Sequence, residues 1–512
     1  FLLDETKTNL LGAMQSVGET VSIATTELST GTFELHHCAT SRLEDTLERL
    51  GLSEVIVCDD DIELQQKVTS CGVAVTTRPL WLFSLDEATS QLHKQFGVTT
   101  VQGFGLADDD ARIGSAGALL SYIKQTQTSE SDFSHLRPPT IKQETEFVGL
   151  DATTIRSLEI EETMKGSTTA GSLLWVMQRC TTAMGKRLLR KWLCEPLANR
   201  CDIEKRQSAV AQCIDDDEML RGIQSKLDQV QDVARIAGRI SMGRVTPRDV
   251  VALGKSVAVC SDLASLLGTP STEYLQLELQ NVSSSLNQLS QLIQTSCIES
   301  PPAHMRQGGL FRDGVDKELD EARLLQRDAG TWLADYQAKL SLETDISTLK
   351  VGFNKVFGYY IEVSHAQSTK VPDTFTRKQT LKNAERYITP ELKEFENKVL
   401  SAESKAITRE QTLYAQLCSK IGSQIQDILL FADTVATLDV LSCFAKTATL
   451  FGYIKPKLVD EPIISIKNGR HPVLDRLLQD AFVPNGCTLD DDSLALITGP
   501  NMAGKTTVMR EV

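Results

Sequence analysis

The sequence lacks any apolar run approaching the length a membrane helix needs, and no secretory signal is visible after Phe1. It also lacks a C-x-x-C pair: its twelve cysteines are scattered, as at Cys38, Cys58, Cys71 and Cys180. That scatter argues against a zinc ribbon or a disulfide framework and suits reduced thiols in a cytosolic protein. There is no excess of positive charge. Against 53 basic residues stand 68 acidic ones, a net charge of −15, which excludes a chain that coats nucleic acid over its whole surface. What remains is the composition of a globular protein, 41% hydrophobic and 24% charged, with 512 residues for several domains and a sizeable core.

The stretch 494–510 carries the clearest chemistry. Residues 494–498 read as a short buried strand, followed by a loop and the opening of a helix. Gly499, Gly504, Lys505 and Thr506 fit G-x-x-x-x-G-K-[ST]. Glycines let backbone N–H groups turn inward around phosphate oxygens, and the helix that follows points its positive end at the same anion. Lys505 adds a cation for the β- and γ-phosphates, and the Thr506 hydroxyl can ligate Mg²⁺. Pro500, Asn501, Met502, Ala503 and Thr507 complete the candidate ATP site. The chain begins at Phe1 rather than Met and ends at Val512, a few residues into that helix. A phosphate-loop ATPase keeps its second acidic motif and most of its parallel sheet downstream. An internal piece of a longer protein is therefore expected.

Residues 1 to about 125 alternate strand and helix patterns, as in a small α/β domain. Val21-Ser-Ile-Ala-Thr is extended, Gly31 marks a turn, and 32–35 resume an extended pattern. A helix is expected from Ser41 to Leu50, capped by Ser41 with Glu44 at the capping-box spacing. Residues 54–58 form a short strand, and 116–126 a closing helix. Two clusters suggest metals. His36 and His37 beside Cys38 are adjacent on a strand and so point to opposite faces. Asp59, Asp60 and Asp61 read as a solvated loop, since no other acidic residues converge with them.

From about 150 to 345 the pattern is helical. Leu275, Leu279, Val282, Leu286, Leu289 and Ile293 step by 4 and 3, a seam for packing against long helices. Ala322, Leu325, Ala329, Trp332 and Tyr336 form a second seam. Near Lys350 the period changes to two short strands around Gly358, and Pro390 opens another long helix. Between Thr376 and Lys393 stand Arg377, Lys378, Lys382, Arg386 and Lys393 against the acids Glu385 and Glu391, with Gln379, Thr380 and Asn383 among them. This composition suits a surface that grips phosphates without reading bases; as a bare charge cluster it reads more readily as a solvated face. Ile421, Ile425, Ile428, Ala432 and Val435 then restore the helical period, so a β-containing tip interrupts a helical pair.

Six motifs point to one family: 149–154 (Gly-Leu-Asp-Ala-Thr-Thr), 182–192 (Thr-Ala-Met-Gly-Lys-Arg-Leu-Leu-Arg-Lys-Trp), 357–361 with 377–387, 438–441 (Leu-Asp-Val-Leu), 469–473 (Gly-Arg-His-Pro-Val) and 499–505. On these residues the chain resembles the MutS family of DNA mismatch repair proteins, in its bacterial form, over essentially its whole length. The resemblance implies a multidomain α+β protein. An α/β RNase-H-like connector without a nuclease role would span 1–130. A helical core and lever domain would span 131–345, a β-containing DNA clamp 346–392, and returning lever and core helices 393–452. The truncated opening of an ABC-type P-loop ATPase domain would span 453–512.

The resemblance also gives Phe482 the role of stacking on adenine, although a Phe beside Val483 reads on its own as core. Thr506 stands where the family usually has Ser, which retains the hydroxyl. Arg377, Lys378, Gln379, Thr380, Lys382 and Asn383 fall in the clamp. The whole protein would be a cytoplasmic homodimer that clamps double-stranded DNA, changes state with ATP and Mg²⁺, and recruits downstream repair proteins. The family's mismatch-reading domain would precede residue 1 and its acidic ATPase motif would follow Val512, so this stretch alone is not expected to turn over ATP. Two alternatives stand beside this reading: an ABC- or SMC-like ATPase with helical arms, and a MutS relative outside mismatch repair.

Overall fold

A computed structural model of the protein describes residues 8–126, 133–142, 146–268, 270, 272–354, 358–478, 482–490, 494–498 and 504–511. Two compact units are present: Phe1–Val245 with Ala252–Ser290 and Gly422–Val512, and Thr246–Val251 with Gln291–Ile421.

The first unit opens with strands β1 (Leu10–Val17), β2 (Thr20–Glu27), β3 (Thr32–Ala39), β4 (Leu52–Cys58), β5 (Ala74–Arg78) and β6 (Thr140–Ile141). They form one sheet in the order β5-β4-β1-β2-β3-β6. β1, β2 and β3 run antiparallel, and β4, β5 and β6 join parallel to their neighbours. Both faces are covered. Ala13, Ala24, Phe33, Leu35 and Ile56 pack on the helices Leu85–Phe96 and Arg112–Thr126. Met14, Val21, Ile23, Cys38, Val55 and Val57 pack on Leu43–Leu50 and Ile62–Ser70. Double burial explains why β2 is buried at Ser22, Thr25 and Thr26 as well as at its apolar positions; each hydroxyl has a partner, as in Thr26 Oγ1 to Thr32 O at 2.7 Å.

Several local expectations hold and one changes. His36 is buried and His37 exposed, as strand alternation requires. Asp59 and Asp60 are exposed, and Asp61 caps the next helix through Leu64 N–H at 3.1 Å. Ser41 does not cap the helix after it. Thr40–Arg42 form a 3₁₀ turn, and the cap position falls at Arg42 with no side-chain hydrogen bond. The turn carries Ser41 out of capping geometry.

The helical part of the first unit is built round Ile425–Phe451, which packs on Ala183–Cys194, Arg200–Asp215 and Val233–Ser241. This helix corrects the reading that no apolar run approaches membrane length: it is long and apolar enough by length and composition. Its sides, however, are covered by the neighbouring helices, and 78% of its most apolar window is buried. Asp433 pairs with Arg137. Asp439 is buried and accepts from Thr181 N (2.9 Å), Thr182 N (2.7 Å) and Thr182 Oγ1 (2.7 Å). Thr182 in turn caps Ala183–Cys194. A Cβ at residue 185 would lie 2.2 Å from Asp439 Oδ2, so only glycine lets the carboxylate this close. The motifs at 182–192 and 438–441 are thus two halves of one contact. Burial raises the Asp439 pKa, against the pull of its three donors.

Glu34 on β3 ties the sheet to the helices. Lys191 Nζ stands 2.5 Å and Lys142 Nζ 3.5 Å from its Oε1, with His36 Nε2 3.9 Å from Oε2. Burial alone would raise this carboxyl, but the two lysines hold it at about 2. Burial pushes the His36 imidazole down to about 4, against the attraction of Glu34.

The second unit contains the helices Lys317–Arg327, Ala329–Thr344 and Pro390–Gly422. Its sheet comprises β7 (Lys350–Asn354), β8 (Gly358–Ser364), β9 (Thr376–Thr380) and β10 (Ala384–Ile388), all antiparallel in the order β7-β8-β10-β9. One face buries Tyr359, Ile361, Val363 and Tyr387 against Tyr336, Leu340 and Leu392. Gly358 has φ +72°, and a Cβ there would meet Glu396 Oε1 at 1.8 Å. Glu410 is buried and fixes the loop before Lys317: it accepts from Gly309 N (2.7 Å), Leu310 N (3.0 Å) and Arg323 (2.6 Å).

The seam from Leu275 to Ile293 is buried at all six positions along the helix Glu273–Ser296. The second seam breaks at Leu325, which is 56% exposed. A helix break at Asp328 separates the two helices, and Lys317–Arg327 buries the seam residue Ala322 together with Leu319.

His36 has a folded pKa below its unfolded value, so the unfolded chain binds more protons between pH 6.5 and 4 and stability falls as pH falls through that window. The loss is on the order of 3 kcal/mol from the size of the shift. Glu34, also depressed, adds a further loss from about pH 4.5 toward 2. His36→Gln is expected to flatten the pH dependence of the melting temperature between pH 6.5 and 4 while leaving the loss below it. An unchanged slope would assign the effect elsewhere.

Candidate nucleic-acid interface and nucleotide site

The basic cluster of the sequence lies on β9 and the turn into β10, in the second unit. Thr376, Arg377, Lys378 and Thr380 are exposed on β9, and Lys382 and Asn383 are exposed on the turn. The pairing shifts register here: Gln379 stands across from Arg386 and Arg377 across from Tyr387, which leaves Lys378 as an extra residue in the edge strand. The Arg377 side chain is 62% exposed, with Nη1 3.5 Å from Glu385 Oε1. His365 positions the turn: its Nε2 lies 2.9 Å from Leu381 O, and its backbone N–H donates to Asn383 O at 3.3 Å.

Arg386 has a different position from the other cations. Its guanidinium lies over the Tyr360 ring at 4.0 Å, donates to Glu362 at 3.0 Å and reaches Gln379 Oε1 at 3.3 Å. It holds three strands together on the face away from the apolar core, and Gln379 is half-buried through the same contact. Residues 346–392 carry seven cations and four carboxylates in a chain of net charge −15.

The candidate nucleotide segment belongs to the first unit. Strands β11 (Ile464–Gly469) and β12 (Asn485–Leu489) pair antiparallel, with the helix Pro472–Leu478 between them. Residues 494–498 are not the buried strand expected. They pair with no strand among the described residues, and Leu494 and Leu496 are 94% and 85% exposed. A parallel strand is buried by neighbours on both sides, and its own sequence supplies neither. Gly499, Pro500, Asn501, Met502 and Ala503 lie outside the described residues. Gly504 has φ +80°, and the helix Lys505–Glu511 begins at once after it, with the Thr506 side exposed and Lys505 and Thr507 half-buried.

Phe482 is only 7% exposed, with the Arg470 guanidinium 5.9 Å from its ring centroid. The turn 469–472 packs on the last helix: a Cβ at Gly469 would lie 2.1 Å from Glu511 Oε1. Burial and the nearby Arg510 guanidinium hold His471 below its usual range. Arg510 donates to Glu159 Oε2 at 2.7 Å.

The family model for MutS domain II matches residues 9–137, and that for MutS domain III matches residues 153–445, more than half of the chain. The chain belongs to the MutS family. It is 38% identical over 501 residues to the DNA mismatch repair protein MutS of Rhodopirellula baltica, covering 97% of this chain and 56% of the relative. It is 40% identical over 435 residues to the protein of the same name from Alkaliphilus oremlandii, covering 84% and 49%. The likeness to that of Salinibacter ruber is 36% over 520 residues, covering 100% and 57%. The chain spans about half the length of these relatives.

The MutS domain II match covers β1 to β5 and the helices between and after them, and the domain III match includes the four-stranded sheet and most of the helix Ile425–Phe451. Sequence reasoning found the exposed cations of this MutS-family chain but grouped Arg386 with them. It also missed Glu159, Arg470 and Arg510 around the last helix. The motif 469–473 was the available signal, and only tertiary contact reveals what it packs on.

Arg386→Ala strips Glu362 of its cation and Tyr360 of its stacked guanidinium, so a destabilisation of about 1–3 kcal/mol is expected in denaturant titrations. Lys378→Ala and Lys382→Ala should stay within about 0.5 kcal/mol of wild type. Equal effects for the three would contradict the division between a bracing arginine and exposed lysines.

Proposed function

We propose that this chain serves ATP-dependent recognition of mismatched DNA in mismatch repair. It would grip duplex DNA through the edge of its four-stranded sheet and change state when ATP occupies the loop before Lys505. The observation that carries the reading is the MutS match across both domain models, with relatives named for mismatch repair. The exposed basic strand and turn in an acidic chain support it.

The four-stranded sheet is the clamp of this proposal. Arg377, Lys378 and Lys382 neutralise backbone phosphates, and Thr380 and Asn383 donate hydrogen bonds to phosphate or sugar oxygens. Gln379, held by Arg386, braces the strand. Contacts of this kind fix position on a duplex and carry no base information. The six-stranded sheet is the connector; its antiparallel β1–β3 followed by parallel β4 and β5 support an RNase-H-like reading.

At the nucleotide segment, the residues described fit half a cradle. Gly504 takes a left-handed turn, Lys505 opens a helix, and the Thr506 hydroxyl lies beside it on the exposed side. When bound, ATP with Mg²⁺ supplies the charge and the differential affinity that separate two states of the protein. Lys505 would pair with the β- and γ-phosphates, and Thr506 would ligate the metal. Stacking of adenine on Phe482 requires the Arg470 guanidinium to give way. The homodimer, the downstream repair partners and a place beside DNA in the bacterial cytoplasm belong to the same proposal. An ABC- or SMC-like protein outside the family is set aside by the family match, and a relative outside mismatch repair is not favoured by the names of the three relatives.

Replacing Arg377, Lys378 or Lys382 singly by Ala in the full-length protein should weaken duplex binding about equally across sequences. Each change should lower the slope of log K against log salt by about one. Salt slopes that stay at the wild-type value would remove the clamp assignment. Phe482→Ala should weaken binding of an ATP analogue by about 1–3 kcal/mol, the range of a lost stacking contact, with nucleotide-free DNA affinity kept. A variant that melts earlier and binds nucleotide normally would make Phe482 a core residue.

A further inference from the structure

Glu159 is one of five non-glycine residues with positive φ among the described residues; its φ is +51°. A side chain pays conformational free energy to sit there, so the position persists only where its surroundings over-determine it. At Glu159 every polar group is engaged. Its N–H donates to Arg156 O at 3.1 Å, and its carbonyl accepts from Leu173 N at 3.0 Å. Carboxylate Oε1 accepts from Met164 N at 2.8 Å, and Oε2 accepts from Arg510 at 2.7 Å. The other Arg510 terminal nitrogen lies 3.5 Å from Met164 Sδ.

These contacts join two parts of the first unit. Arg510 stands five residues after Lys505 in one helix, about 7.5 Å along its axis, so the backbone at both positions belongs to one short rigid element. Leu173, held by Glu159, opens the helix Leu173–Met177. Trp175 of that helix lies under the Arg476 guanidinium at 3.9 Å, and Arg476 belongs to Pro472–Leu478. The segment 159–175 therefore holds two helices of the C-terminal part, Lys505–Glu511 through Arg510 and Pro472–Leu478 through Arg476.

The geometry points to Glu159 and Arg510 as a coupling pair: positioning residues through which the position of the helix Lys505–Glu511 is passed to the helical core. The inference rests on the nucleotide reading proposed above. A displacement of Lys505 toward a phosphate carries Arg510 with it. The 2.7 Å ion pair then either drags Glu159 or breaks, and a strained residue with every polar group bonded has few intermediate positions. Neither residue touches nucleotide in this scheme, and the pair acts on the link between binding events.

The test uses the full-length protein and its Glu159→Gln, Arg510→Gln and double variants. Glutamine at 159 still accepts from Met164 N, so only the charge pairing is lost. Three quantities are read for each protein: affinity for the fluorescent analogue mant-ATP without DNA, affinity for a G·T-mismatched duplex without nucleotide, and the factor by which ATP changes that duplex affinity. Each single variant should lower the factor by about fivefold or more, with the two separate affinities close to wild type. The double variant should be no worse than either single one, as for partners in one contact. An unchanged factor in both single variants overturns the pair. So does a parallel loss of thermal stability, both affinities and the factor, which would mark a purely structural contact. Wild-type protein that fails to bind mant-ATP overturns the nucleotide reading itself, and the coupling with it, before any variant is compared.

Discussion

Asp439 sits in the middle of the most apolar helix of the chain, where an unpaired carboxylate would cost several kcal/mol. It is tolerated because Thr181 and Thr182, 258 and 257 residues earlier, supply two N–H groups and a hydroxyl. Because Thr182 caps the helix Ala183–Cys194, the carboxylate binds the start of one core helix to the middle of another. From that helix Lys191 reaches Glu34 and so fixes the six-stranded sheet. The chain of contacts from the central helix to the sheet therefore runs through groups that are costly alone and satisfied together.

Charge is distributed by the same logic. The buried ions of the first unit are paired or hydrogen-bonded: Glu34 by two lysines, Arg187 by Asp232 at 2.7 Å, Asp439 by backbone. In the second unit Glu410 satisfies two backbone N–H groups and Arg323, and Arg386 braces three strands. On the edge strand, by contrast, Arg377 and Lys378 remain exposed. In a chain of net charge −15, these exposed cations confine positive potential locally to the edge strand and its turn.

Much of this was legible in the residues. The step of 4 and 3 from Leu275 to Ile293 located a buried seam, because helical burial depends on a period internal to the sequence. The polar, basic run from Arg377 to Asn383 was legible as a surface, and Arg377, Lys378, Lys382 and Asn383 are all exposed. What failed depended on neighbours. Residues 494–498 look like a buried strand, yet burial of a strand is given by the strands beside it. Leu325 obeys the helical period but lies within a helix, Lys317–Arg327, whose buried positions are Leu319 and Ala322. Arg386 could not be separated from Arg377 by composition, since the difference is which residues stand across the strands. Glu159 and Arg510 are 351 positions apart, and nothing in either segment names the other.

The helix Ile425–Phe451 also has a consequence for synthesis. A segment this apolar, emerging alone from a ribosome, presents the features by which bilayer-bound helices are selected. Here the helices that cover it, Ala183–Cys194, Arg200–Asp215 and Val233–Ser241, all precede it in the chain. N-terminal parts fold first during translation, so the segment emerges when its docking groove can already exist. Asp439, expensive in hydrocarbon, finds its three donors only in that groove. Order along the chain and one carboxylate together direct the helix inward, to protein rather than to lipid.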